Sequence, residues 1–212
     1  MTGFRIFRWS IFASALVPAA ALVYWTFTGD LGANPIEFIT HTTGTTALSL
    51  LVITLTITPL RRVTARNELI RLRRMLGLLA FFYACLHMLT WVVLDWFFDV
   101  ASMTADVVKR PFITMGMMTF VLLVPLAATS TAGMIRRLGR RWQQLHRLIY
   151  VAAVTAVIHF WWVEKADFRQ PRLWALALCV LFGFRVWWSL QTRAARTRDA
   201  FTFLKDGMLR RG

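Results

Sequence analysis

Two of the four histidines in this 212-residue chain, His87 and His159, are spaced for one particular piece of chemistry. His87 lies 13 residues beyond Arg74, and His159 lies 13 beyond His146, which adjoins Arg147. Each sits inside an apolar run, ACLHML for the first and AVIHFW for the second. An imidazole in hydrocarbon is costly unless something uses it. At 1.5 Å per helical residue, both rings reach about 20 Å from a basic boundary. Two imidazoles at one depth on parallel helices suit an iron porphyrin, which takes one axial nitrogen on each face. The pair predicts a non-covalently held b-type haem and therefore a one-electron carrier. The competing reading of each ring alone is an interhelical hydrogen bond.

The remaining candidates are less specific. His146 stands at the inner boundary, as an interfacial residue or a ligand of a second haem; the matching position on the third helix holds Arg74 instead of a histidine. The haem count is accordingly one or two. Thirteen residues also leave His146 and His159 some 140° apart around an ideal helix, so they need not share a groove. His41, beside a Thr-rich helix start, reads as structural or partner-facing. Met75, Met88, Met115, Met117 and Met118 read as core fillers, with a thioether ligand as the minor option. Cys85 and Cys179 form no CxxC or CxxCH, which argues against covalent haem attachment and a cysteine-held cluster.

Six elements must position these groups. The chain is 58% apolar and only 17% charged, with mean hydropathy +0.55. A soluble domain of this length needs more polar surface, so the class is all-α integral membrane. Runs of the length that spans about 30 Å of hydrocarbon predict a six-transmembrane-helix bundle. The helices are expected at about 9–29, 38–60, 75–94, 111–135, 145–163 and 173–192, in one domain over 1–212. Pro125 should kink the fourth, and Arg185 in the sixth should snorkel to the nearer face. The first, following Arg5 and Arg8, reads as a retained span, since its 21 uncharged residues exceed a signal-peptide core. No internal repeat is evident.

Charge sets the orientation. With both termini cytoplasmic, the inner segments hold 20 of the 25 Lys and Arg, and the outer loops hold 7 of the 10 acids. That is the positive-inside pattern. The same pattern explains the net charge of +15 without nucleic acid. RRLGRRWQQLHR reads first as a basic inner loop that can also attract haem propionates or an acidic donor, and the tail after Thr192 as a surface segment on anionic lipid. All ten tryptophans fall near predicted helix ends. There is no GxGxxG or GxxxxGK[ST], so no nucleotide site is expected, and electrons must come from other proteins or lipid-soluble molecules.

Several segments carry a resemblance to a known family. LGANP, HTTGTTAL, ITPLRR, LIRLRRMLGL, CLHMLT, KRPFITMG, ATSTAGMIRRLG and RWQQLHRLIY resemble the MsrQ (YedZ) family over residues 31–188. These are the haem-binding membrane subunits of the bacterial methionine sulfoxide reductase system, within the ferric-reductase-like transmembrane superfamily. The resemblance implies a multi-pass inner-membrane cytochrome b that passes electrons to MsrP, a periplasmic molybdopterin reductase of oxidised envelope proteins. It implies the quinone pool or a cytosolic flavin reductase as donor. Haem-ligand roles carry over to His87, His146 and His159. FMN is implied as a further cofactor, although no residue pattern here supports it.

No bond-making catalytic residue is expected, because that chemistry belongs to the partner. The alternatives are a stand-alone quinol-linked cytochrome b or ferric reductase subunit, and, from another class, a small transporter. A transporter needs polar groups along a path; this chain offers only the Thr residues of helix two, Arg185 and the histidines.

Overall fold

Within hydrocarbon a segment must satisfy its own backbone N–H and C=O groups, so long apolar runs become helices. The computed structural model describes residues 2–164 and 167–209, with side chains described over 3–164 and 167–195. Its helices are α1 (Thr2–Thr28), α2 (Pro35–Thr64), α3 (Ile70–Leu89), α4 (Val100–Lys109), α5 (Pro111–Ala128), α6 (Ala132–Leu138), α7 (Arg140–Leu145), α8 (Leu148–Val163) and α9 (Arg169–Leu209). A 3₁₀ turn (Asn67–Leu69) leads into α3, and a π-helical turn (Thr90–Asp95) extends it. Six segments are long and apolar enough to cross a membrane, and no strand occurs among the described residues. The protein is an all-helical, multi-pass membrane protein.

Successive spans are antiparallel, which gathers the 61–74 and 136–147 segments at one end, here the Arg-rich end. The α1–α2, α3–α5 and α8–α9 connections lie at the far end. Half of the α2 span is buried, against 6% for α1 and for α9. So α2 is the central helix, and α1 and α9 present most of their side chains to lipid. The core lies where α2 meets α3 and α8, around Leu55, Leu72, Leu76, Tyr83, Ala152 and Ala153. The alanines bring α8 close to its neighbours, a common solution where packing rather than water exclusion drives association.

Local chemistry sets the helix boundaries. Asn34 opens α2 by accepting from the Glu37 N–H while its amide reaches the Glu37 carboxylate at 2.9 Å, with Pro35 in the first turn. Asp99 caps α4 through the Ala101 and Ser102 amides. In α1 the wholly buried Tyr83 hydroxyl enters the helix ladder next to Pro18. It donates to the Ala15 carbonyl at 2.7 Å and accepts from the Ala19 N–H at 3.1 Å, tying α1 to α3.

Four expectations about the spans need correction. The fourth span does not continue through a kink at Pro125 to residue 135; α5 ends at Ala128. Thr129 and Ser130 turn their hydroxyls onto the Pro125 and Leu126 carbonyls, and Thr131 caps a separate α6. The fifth span is likewise interrupted: α7 closes at Leu145 and α8 opens at Leu148, so His146 lies in the joint and not on the helix bearing His159. Arg185 does not snorkel outward. Its guanidinium donates inward, to the Tyr150 hydroxyl and the Leu55 carbonyl, both at 2.7 Å.

The sixth helix also runs on to Leu209 without a break at 192. Side chains of the basic tail from residue 196 onward lie outside the described residues.

A local structural arrangement nevertheless recurs. The hairpin α2–α3 and the pair α5–α8 are the two closest helix pairings. A carbonyl, a glycine and a histidine recur in them at a constant offset of 72: residues 40, 44 and 87, then 112, 116 and 159.

Candidate functional site

His87 belongs to the last turn of α3, but α2 fixes its ring. The Nδ1–H donates to the Thr40 carbonyl at 3.0 Å. One turn further along α2, Gly44 leaves room for the ring: a Cβ there would stand 2.9 Å from His87 Cε1 and 3.0 Å from Nδ1. Any side chain larger than hydrogen would push the imidazole away.

The second half repeats this arrangement. His159, near the end of α8, donates from Nδ1–H to the Phe112 carbonyl of α5 at 2.7 Å. A Cβ on Gly116 would lie 2.9 Å from both Cε1 and Nδ1 of that ring. Each histidine thus rests on a neighbouring helix through one carbonyl and one glycine. Because Nδ1 carries the proton in both, Nε2 is the lone-pair nitrogen in both.

The two rings meet across one cavity. Their centroids are 6.0 Å apart and their planes are inclined by 74°. With metal–imidazole bonds of about 2.0–2.1 Å and a ring radius of about 1.2 Å, a metal held between two rings sets their centres about 6.4 Å apart. The observed spacing is within a few tenths of that value. The cavity has a volume of about 720 Å³, within the range of cofactor pockets. Leu48, Leu51, Ala84, Phe120, Leu123 and Ala156 form its apolar floor. Among the described residues no group of three or more His, Cys, Asp or Glu gathers to hold a bare ion. Two imidazoles facing a roomy apolar slot fit a planar macrocycle that brings its own equatorial nitrogens.

Polar groups mark the far-end mouth of the cavity. Asp106, buried, accepts from the Trp91 indole at 3.4 Å and pairs with Arg110 at 2.9 Å. On the opposite rim His41 and Glu164 lie 3.8 Å apart. The π-helical turn brings Trp91 and Asp95 to this mouth, directly after His87.

The predicted residues therefore separate. His87 and His159 come together, and His41 borders the same cavity at its exposed edge. His146 is elsewhere, at the Arg-rich end, stacked on Trp142 with ring centroids 3.9 Å apart. Its Nδ1 bonds the Trp142 carbonyl at 3.1 Å, and its buried Nε2 makes no well-formed hydrogen bond among the described residues. The methionine alternatives gain little: Met88 and Met117 line the cavity, Met75 and Met115 do not. Sequence reasoning missed Gly44, Gly116, Asp106 and Arg110. A legible signal was present, since THTTG and FITMG each place the accepting carbonyl four residues before a glycine.

The threonines of α2 do not form a polar path of their own. Thr43, Thr46, Thr54 and Thr56 donate to carbonyls one turn earlier in the same helix, the usual way such residues are satisfied in lipid.

Residues 43–157 match the family model described as "Ferric reductase like transmembrane component". The chain is 56% identical over 195 residues to the protein-methionine-sulfoxide reductase heme-binding subunit MsrQ of Herminiimonas arsenicoxydans, covering 91% of this chain and 89% of that one. It is 54% identical over 187 residues to the protein of the same description from Ralstonia nicotianae, with 87% and 86% covered. The counterpart from Xanthomonas campestris pv. campestris is 47% identical over 198 residues, with 90% of each chain covered.

Proposed function

Because this chain belongs to the MsrQ family of heme-binding subunits of protein-methionine-sulfoxide reductase systems, we propose that it holds a b-type haem between His87 and His159 and relays electrons through it. The observation that carries this reading is the pair itself: two imidazoles 6.0 Å apart, each with its proton committed to a carbonyl on a neighbouring helix. The proposed acceptor is a periplasmic molybdopterin methionine sulfoxide reductase, MsrP. The proposed donor is the quinone pool or a cytosolic flavin reductase. The biased charge supports a bacterial inner-membrane location with both termini and the Arg-rich end cytoplasmic, one domain spanning 1–212.

Bound in this slot, haem supplies a one-electron carrier between ferric and ferrous iron. The Thr40 and Phe112 carbonyls keep the proton at Nδ1, fix each ring's orientation and make Nε2 a stronger base. Gly44 and Gly116 set how far the rings retreat. The apolar floor excludes water. Arg110 is the cation at the mouth suited to carboxylate substituents of the macrocycle, and His41 lines the same cavity. No nucleophile or general acid is needed in the chain, since the sulfoxide is reduced on the partner. His146 is a candidate ligand for a second, inner haem, supported by its buried Nε2. FMN forms no part of the proposal.

The test is spectroscopic and then coupled. The purified protein should show a b-type Soret band and release non-covalent protohaem on extraction. After reduction, its α band should disappear on mixing with the periplasmic molybdoenzyme and methionine sulfoxide. A haem-loaded protein that stays reduced in that mixture overturns the assigned acceptor, and a protein that takes up no haem overturns the site.

A further inference from the structure

A second cavity, of about 630 Å³, lies between the outer helix α9 and the inner helices α2 and α8 towards the Arg-rich end. Among the described residues it shares no lining residue with the histidine cavity. Its origin is a proline. Pro59 has no N–H to offer the Leu55 carbonyl one turn earlier, and Arg185 of α9 fills that gap at 2.7 Å while its other terminal nitrogen holds Tyr150.

This arrangement draws a guanidinium into the membrane span but does not finish its bonding. Arg185 Nε is buried with no hydrogen-bond partner, and so is the hydroxyl of Thr58. Both residues line this one cavity. Unmet buried donors are costly, and two in one apolar recess point to a missing acceptor. The charge is unbalanced as well. Arg62, held 5.0 Å over the Trp188 ring, and Arg193 line the same recess, and among the described residues no Asp or Glu does. Neither Arg62 nor Arg185 forms an ion pair among the described residues. Phe182, Phe184 and Val186 make the wall against lipid.

We propose that this recess binds the phosphate head of an anionic phospholipid from the leaflet at the Arg-rich end. A phosphodiester carries the negative charge that balances Arg62 and Arg185, and a small turn of the Arg185 and Thr58 side chains toward the recess lets its oxygens accept from the buried Nε and hydroxyl. Its acyl chains continue along the aromatic wall. The depth agrees: Thr58 lies one turn inside Arg62 and about 9 Å from the end of α2. A neutral ring-carbonyl amphiphile matches the donors but leaves both cations without a counter-charge.

The experiment uses the full-length protein purified in a mild non-ionic detergent and stripped of lipid by extended washing. Native mass spectrometry and thermal melting then follow the addition of phosphatidylglycerol, phosphatidylcholine, inorganic phosphate or a short-chain quinone analogue. Phosphatidylglycerol alone should be retained and raise the melting temperature. Arg62→Gln should lower its retention about fivefold, the effect of losing one arginine at an anionic lipid surface. Thr58→Val, which removes only the hydroxyl, should lower retention with the haem spectrum unchanged. Equal retention of phosphatidylcholine, undiminished phosphatidylglycerol retention in both variants, full stabilisation by inorganic phosphate, or stabilisation by the quinone analogue instead of the anionic lipid would each overturn the proposal.

Discussion

Gly44 and Gly116 occupy equivalent places 72 residues apart, each giving the space of a side chain to the imidazole of a histidine on another helix. The closest approach of an added Cβ is 2.9 Å to Cε1 in both cases. Gly44→Ala and Gly116→Ala should therefore loosen haem binding, although alanine is the better helix former by about 1 kcal/mol. Overpacking of this kind costs about 1–3 kcal/mol. Haem occupancy, read from the Soret to protein absorbance ratio, should fall in both variants. Full occupancy in both would mean that the rings can yield without loss.

His87→Ala and His159→Ala should each remove most of the haem, because one remaining imidazole leaves a face of the iron without its ligand. The reduced α band is the measurement. An unchanged spectrum in both variants excludes the assigned pair. His146→Ala, remote from the cavity, should leave that band in place and can affect only an inner haem.

Tyr83→Phe should destabilise the bundle by about 1–3 kcal/mol, the cost of leaving buried backbone groups unmet. The lost hydroxyl serves the Ala15 carbonyl and the Ala19 N–H beside Pro18. Thermal melting in detergent would show the change, and α1 should become the first segment open to proteolysis. An unshifted melt would mean that the α1 ladder closes without the hydroxyl.

The cap of α4 should be sensitive to acid. Hydrogen bonds from the Ser102 hydroxyl and amide hold the Asp99 carboxyl below the ordinary carboxylate range. A carboxyl depressed on folding stabilises above its unfolded value, near 3.9, and that contribution is lost as pH falls through the lower, folded value. Hydrogen exchange at the Ala101 and Ser102 amides should accelerate in that acid window. Asp99→Asn should remove the pH dependence; a profile unchanged by the substitution would remove Asp99 as its source.

The sequence made some of this legible and concealed the rest for physical reasons. Membrane spans follow from local hydropathy, and the common depth of His87 and His159 follows from counting residues along helices, so both could be read directly. His146 defeated the same counting because Leu145 and Leu148 bound a break in the helix, carried by no Pro or Gly, that takes the residue off the ligand helix. Arg185 was misjudged because an orphaned carbonyl on a different helix, left by Pro59, outcompetes the interface for its donors. The recurrence was legible only in the two glycines and two histidines, because the rest of its register is carried by backbone carbonyls. The side chains around them differ, Thr40 in one half and Phe112 in the other.

Each imidazole is fastened at two places, by its bond to its own helix and by its proton to the backbone of the next. A ring so held has little freedom to shift when the charge on a metal at Nε2 changes by one unit. In the proposed role, the inner-sphere rearrangement on gain or loss of an electron would be small, and the two main-chain oxygens that keep it so survive any side-chain substitution at position 40 or 112.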